Sequence, residues 1–509
     1  MLRVLARNTL SNGGALVAKV AINFMLTPFL ILHLGRALYG VWILLISFSV
    51  SGTLSLLSLG VQSALIKYVA EYHALRKQKE LNELISSTLL VYAGMGLFGA
   101  SVLVVFSHLW FTHFFVIPAA HQQTAKLMLD LMAIQVLFEL PSLCFDGILG
   151  GVQRYDILAA MDVGKTALLA GLFAIALLNG KTVIFLSIIT LLVTLVYSLG
   201  LILFANRELP EWRLVAKFDR KQVFEVLDMT KDLFILRLNG IIYNNMDKMI
   251  IAAVLTTTAI TDYDIGNRIH SMALMVLGLA GTVVIPATSA AQARSEHDQI
   301  RTLFLKGTKY TLAMTLPVIC ALFVLSGSFI RFWISPQYVG AALYARLFLS
   351  YLLFWVMTGV GWNMLIGVRE TKPIVRIQII SVAINLALSI LLIHLIGIKG
   401  VIIATIIGNL VAFVPYMRLM MKNFDVSLRQ LFSEVVFTTY PQALASTGFL
   451  VLLTYLWRPG SIVGVAMQAI ISVALYILLF VVTGMDRSER TRIVSLISLR
   501  LGKTIGSEA

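Results

Sequence analysis

The sequence predicts an all-α integral membrane protein with 14 transmembrane helices, and three observations predict it. Of 509 residues, 59% are hydrophobic and only 13% charged, with a mean hydropathy of +0.90. That leaves too little polar surface to cover a soluble core of this size. The charges sit in short clusters between apolar runs of roughly 20 residues, the length that crosses a ~30 Å hydrocarbon layer as helix. The runs are continuously apolar, as from Val183 to Val196, without the period of two of a membrane β-barrel. Lipid offers backbone groups no partners, so such runs must be helices.

In chain order the predicted spans are 11–34, 40–65, 84–107, 126–149, 157–179, 182–205, 230–255, 266–291, 308–330, 341–366, 374–396, 398–421, 435–457 and 461–484. Arg3 and Arg7 precede the first apolar segment in the manner of a signal peptide. Lys19 interrupts that segment, however, and apolar sequence continues to Leu34 without an A-x-A cleavage site, so it reads as a retained first span. The longest inner loop is charged, contains Pro210, and divides the first six spans from the next six. The expected organisation is a six-helix lobe over 1–205, an inter-lobe loop over 206–229 and a second six-helix lobe over 230–421. The two lobes have the same orientation and form parallel repeats. Helices 13 and 14 (422–484) and a basic tail (485–509) follow. Pro28, Pro141, Pro286, Pro317 and Pro415 fall in or near spans, where each can kink a helix.

The formal net charge of +15 would suggest nucleic acid in a soluble protein. Here it reflects topology, and no nucleic-acid partner is expected. With both termini in the cytoplasm, 28 Lys and Arg fall in the inner segments and the span ends that adjoin them, and 6 fall in the outer loops. That is the bias of a multi-pass protein of the bacterial inner membrane.

Catalytic motifs do not emerge. Ala159 to Thr166 ends in Gly164-Lys165-Thr166 like a phosphate-binding loop, but Ala159 stands where the first glycine belongs and no strand precedes it. His108, His113 and His121 share an outer loop without zinc-site spacing, and Cys144 and Cys320 form no CxxC. No catalytic residue, metal or cofactor is expected. A membrane enzyme of glycan assembly would need acid/base or nucleophilic groups at an outer-face site, and the outer loops carry no such motif.

The informative residues are the charges inside spans, which are costly in lipid and should face protein or water. Span one carries Lys19 with Asn12 and Asn23 on one face; span four carries Glu139 and Asp146, seven apart. Span seven carries Asp232, Arg237, Asn244, Asp247 and Lys248, and Arg237, Asn244 and Lys248 share a face. Span eight opens with Asp264, Asn267, Arg268 and Ser271. These stripes suggest a polar chamber between the lobes. Asp247 with Lys248, and Asp264 with Arg268, also read as structural ion pairs. Lys231, Asp232, Asp162 and Lys165 read as span-end residues that snorkel. Lys19, Arg237 and Glu139 have no opposite charge at i±3 or i±4 and are the leading functional candidates.

Several stretches resemble polysaccharide flippases of the multidrug/oligosaccharidyl-lipid/polysaccharide exporter superfamily. They are Leu34-Gly-Arg-Ala-Leu-Tyr-Gly-Val-Trp, Leu59 to Tyr72, Asn245-Met-Asp-Lys-Met-Ile-Ile, Tyr263 to Pro286, and Gly397-Ile-Lys-Gly-Val-Ile-Ile-Ala-Thr. The resemblance runs over about residues 8–420. It implies alternating access, a cationic chamber and a polyprenyl-diphosphate-linked oligosaccharide as substrate, for lipopolysaccharide (O-antigen) or another surface polysaccharide. In that superfamily, cation exporters are expected to use a carboxylate in the N-terminal lobe, often in span one, where this chain has Lys19. Peptidoglycan-precursor flippases carry a span-two cation, and residues 40–65 hold none. On this reading the diphosphate meets Lys19 and Arg237, with Lys248 and Arg268 as further candidates. Asn12, Asn23, Asn244 and Asn267 line the chamber, and Glu139, Asp146 and Asp247 are candidate H+ or Na+ sites. Membrane lipid and other polysaccharide-assembly proteins are the further partners expected. A drug or metabolite exporter of the same fold is the alternative.

Overall fold

The computed structural model describes residues 2–58, 60–215, 238, 240–243 and 245–491. The described residues are helical almost throughout. Helix α1 (Leu2–Ile46) bends at Gly35, whose φ of 71° is a left-handed value that a side chain would resist. A 3-10 turn (Thr53–Ser58), α2 (Val61–Ala74), α3 (Gln78–Leu109), the single turn α4 (Phe111–Phe114), α5 (Ala119–Gly151), α6 (Tyr155–Leu178) and α7 (Val183–Glu208) follow. Residues 240–243 and 245–254 are helical (α8). Next come α9 (Thr257–Ala293), α10 (His297–Trp333), α11 (Ala342–Gly367), α12 (Thr371–Ile396), α13 (Ile398–Asn423), the single turn α14 (Leu428–Leu431), α15 (Phe437–Leu456) and α16 (Ile462–Leu479).

Among the described residues, twelve helical stretches are long and apolar enough to cross a membrane. They correspond to expected spans one to six and nine to fourteen. The eighth, expected over 266–291, lies within α9, and part of the seventh falls outside the described residues. The chain is therefore an all-α multi-pass membrane protein.

One boundary is corrected. The second span, expected as a single run over 40–65, is interrupted. Its first part continues α1 to Ile46, and helix resumes only through the 3-10 turn and α2, ending at Ala74. The cause is local. Ser47 Oγ donates to the Ile43 carbonyl, Thr53 Oγ1 to that of Ser47, Ser55 Oγ to that of Gly52 and Ser58 Oγ to that of Ser55. These bonds offer the backbone an alternative to the helical ladder. A hydropathy window sees only the apolar residues between them.

By internal contact the chain falls into two compact units: residues 1–261 with 390–401, and residues 262–389 with 402–509. In the first unit, α2, α3, α5 and α7 share a core of Leu65, Val69, Leu84, Ile85, Ile148, Leu149 and Leu201. Gly147 and Gly151 on α5 let α2 approach closely, since a Cβ at either would come within 2.6 Å of Leu65 or Val69 side-chain atoms. At the other end, the Val116 N–H donates to the Ala252 carbonyl and the Thr257 N–H to that of Val116, tying the α4–α5 loop to the end of α8.

In the second unit, α10 packs against α11, α15 and α16, with Ala321, Leu325, Leu450 and Val465 in one cluster. Helices α12 and α13 meet through polar contacts, with Asn385 Nδ2 donating to Thr405 Oγ1 and Ser381 Oγ to the Gly408 carbonyl. Beyond α16, Glu489 reaches Lys309 Nζ at 3.0 Å and Lys306 Nζ at 3.2 Å. Burial would raise the Glu489 carboxyl, but bonds from Lys309, the Asp486 N–H and Lys306 outweigh it and hold its pKa down to about 2.

A depressed carboxyl stabilises the fold above its unfolded pKa, and that stabilisation disappears as pH falls through the folded value. Glu489→Gln is therefore expected to lower the melting temperature near pH 7 by several degrees, for a loss on the order of 2 kcal/mol. The gap from wild type should close as pH drops from about 4.5 toward 2. Melting curves in detergent across that range check it, and a gap independent of pH would contradict the assignment.

Candidate functional site

Among the described residues, the densest set of intramembrane charges lies inside the first unit, where α1, α5 and α6 supply the charges and α2 and α7 supply polar partners. Asp162 and Lys165 sit about two and three turns into α6, close enough in sequence to share a face. Lys19 Nζ on α1 lies 2.7 Å from Asp162 Oδ2. The Tyr197 hydroxyl on α7 donates to Asp162 Oδ1 at 3.0 Å. Lys165 Nζ lies 3.3 Å from Glu139 Oε1 on α5 and 4.7 Å from the centre of the Tyr197 ring. Gln135 Nε2 donates to Glu139 Oε2 at 2.9 Å. Asp146, two turns beyond Glu139, accepts from Gln62 Nε2 of α2 at 2.5 Å.

The two pairs differ in access. The side chains of Lys165 and Glu139 are 21% and 13% exposed, whereas those of Lys19 and Asp162 are 37% and 43% exposed. Three carboxylates (Glu139, Asp146, Asp162) thus stand with two ammoniums (Lys19, Lys165). With the carboxylates ionised, the cluster is one negative charge in excess.

The structure accordingly revises two sequence readings. Asp162 and Lys165 are not span-end residues facing the membrane surface, because they pair with Lys19 and Glu139 across helices. Lys19 and Glu139 lack partners only on their own helices. Tyr197, Gln62 and Gln135 were missed altogether. A signal for the two pairs did exist: two intraspan charges without local partners call for opposite charges elsewhere, and Asp162 and Lys165 have the required signs.

The remaining predicted residues are spread along the chain. Asn23 donates to the Lys19 carbonyl of its own helix. Arg268 Nε contacts Asp264 Oδ2 at 2.7 Å, the i,i+4 ion pair anticipated from the sequence. Asn267 is half-buried on the same helix. Asp247 is buried, and neither it nor Lys248 lacks a partner. Arg237 and Asn244 lie outside the described residues, as do Lys231, Asp232 and the side chain of Asn12. The second unit adds a group that sequence reasoning passed over. His270, buried on α9, lies with Nε2 2.6 Å from the Tyr351 hydroxyl and stacks on Phe348.

A profile of the polysaccharide biosynthesis protein family matches residues 33–343, more than half of the chain. The chain belongs to that family. Its fold is shared with solved transporters. One is an inward-closed lipid II flippase, MurJ, with TM-score 0.65 and 14% identity over 90% of this chain and 98% of that one. Another is an inward-facing multidrug resistance MATE family transporter of the MOP superfamily, with TM-score 0.63 and 16% identity over 82% and 95% of the two chains. A third is a MOP superfamily transporter from Pyrococcus furiosus, described as having a binding pocket of reversed polarity, with TM-score 0.56 and 16% identity over 83% and 96%. At these identities the likeness concerns the fold. No curated protein matches the chain. The family and the shared fold agree with the resemblance read from the sequence.

Proposed function

We propose that the protein flips a polyprenyl-diphosphate-linked oligosaccharide across the bacterial inner membrane by alternating access, for lipopolysaccharide or another surface polysaccharide. Both termini are cytoplasmic in this reading. The observation that carries it is membership of the polysaccharide biosynthesis family by a chain whose first span presents a half-exposed lysine, Lys19. An ammonium there suits a diphosphate, which it can meet with charge-assisted hydrogen bonds. Arg237 is proposed as a second contact, with Lys248 and Arg268 behind it, although Arg268 already engages Asp264. Asn12, Asn23, Asn244 and Asn267 are proposed as polar lining for the glycan.

Coupling to H+ or Na+ is proposed through Asp146 first. Glu139 is neutralised by Lys165, whereas Asp146 meets the neutral amide of Gln62. Asp247 is a further candidate. Helices α15 and α16 are proposed to hold the lipid tail, since residues 435–457 and 461–484 carry no charged side chain and present Leu444, Tyr455 and Ile470 as exposed apolar groups.

The excess carboxylate of the N-terminal cluster favours a second reading, an exporter of cationic drugs or metabolites. One experiment separates the two. Protein in liposomes is given a fluorescent polyprenyl-diphosphate oligosaccharide in one arm and a cationic dye in the other. Transfer of the lipid-linked glycan without dye transport is the expected result; dye transport alone would replace the flippase reading with the exporter.

A further inference from the structure

We propose that Asp162 is the resident counter-ion of Lys19 and is exchanged for the substrate's diphosphate in each transport cycle; this rests on the flippase reading above. The ammonium best placed for a diphosphate is already occupied, with a carboxylate oxygen at 2.7 Å. A bare ammonium inside a membrane span is costly, so the empty protein keeps it compensated. A carboxylate is also a fair mimic of a phosphate edge, because both present anionic oxygens as acceptors.

Two features distinguish this pair from its neighbour in the same cluster. First, it is open: its side chains are 37% and 43% exposed, so a competing anion can reach the ammonium and a displaced carboxylate can be hydrated. The Lys165–Glu139 pair is more enclosed, and the second oxygen of Glu139 is held by Gln135. Second, Asp162 is aimed. The Tyr197 hydroxyl holds its other oxygen at 3.0 Å and so fixes the carboxylate against Lys19. Lys165 lies one turn further along α6 and gives the displaced carboxylate a cation within i,i+3 reach.

Exchange also accounts for release. A diphosphate bound to a lysine with no competitor would leave slowly. A tethered carboxylate returning to Lys19 supplies the competitor at high local concentration and expels the product.

The test uses full-length protein in nanodiscs, with undecaprenyl diphosphate as the binding probe, and flipping in liposomes as the second readout. Asp162→Asn removes the competitor, so binding should tighten about five- to tenfold while turnover falls by about tenfold or more. Lys19→Gln should weaken binding by about tenfold or more, and adding Asp162→Asn to it should restore nothing. Tyr197→Phe, which loosens the carboxylate, should tighten binding by about two- to threefold. It carries the test by itself if Asp162→Asn does not fold. If wild type binds the probe and Asp162→Asn and Tyr197→Phe bind it equally or more weakly, Asp162 is a structural partner and the exchange is wrong. If wild type does not bind the probe, the flippase reading fails, and this inference with it.

Discussion

Lys19→Gln is expected to reduce flipping of a lipid-linked oligosaccharide by about 100-fold, while the protein still inserts and melts near the wild-type temperature. A hydrogen bond to a charged group contributes about 1.5–3 kcal/mol, which corresponds to roughly 10–100-fold in rate. The upper end is expected because the lost ammonium faces a diphosphate, which carries more than one negative charge. Stability should change little, because the pair with Asp162 is more than one-third exposed and such pairs contribute weakly to folding. Lys19→Arg should keep partial activity, since the charge survives with a different geometry. Near-normal flipping by Lys19→Gln would remove the residue from the substrate path. Restoration of flipping by Lys19→Gln with Asp162→Asn would reassign it as half of a structural ion pair.

The second large effect concerns Glu139. Its partner Lys165 is 21% exposed and its own side chain 13%, so removing the carboxylate leaves a poorly hydrated ammonium. Glu139→Ala is expected to destabilise the protein by about 3 kcal/mol, seen as a marked fall in melting temperature and in yield. Glu139→Gln with Lys165→Met removes both charges together and should recover most of that loss. A different pattern would support an ion-coupling role: normal stability in Glu139→Gln, combined with flipping that no longer responds to a proton or sodium gradient.

The helices were legible in the sequence for a physical reason. In lipid every backbone group must be satisfied within its own segment, so an apolar run of sufficient length is committed to helix before any partner is considered. Runs such as 84–107 and 126–149 reappear inside α3 and α5. Where local hydrogen bonding competes with the ladder, as from Ser47 to Ser58, apolarity alone misplaced the span. The ion pair Asp264–Arg268 was likewise readable, because i and i+4 are neighbours on any helix.

The charge pairs of the N-terminal cluster were not readable in that way. Lys19 and Asp162 are 143 residues apart, and Lys165 and Glu139 are 26 apart. No periodicity links residues on different helices. Residue types alone mark this chain as a many-helix membrane protein with ionisable groups inside its spans, because the cost of burying backbone and charge in lipid acts residue by residue. Which of those groups neutralise one another, and which pair is the more exposed, depends instead on how α1, α5, α6 and α7 pack side by side.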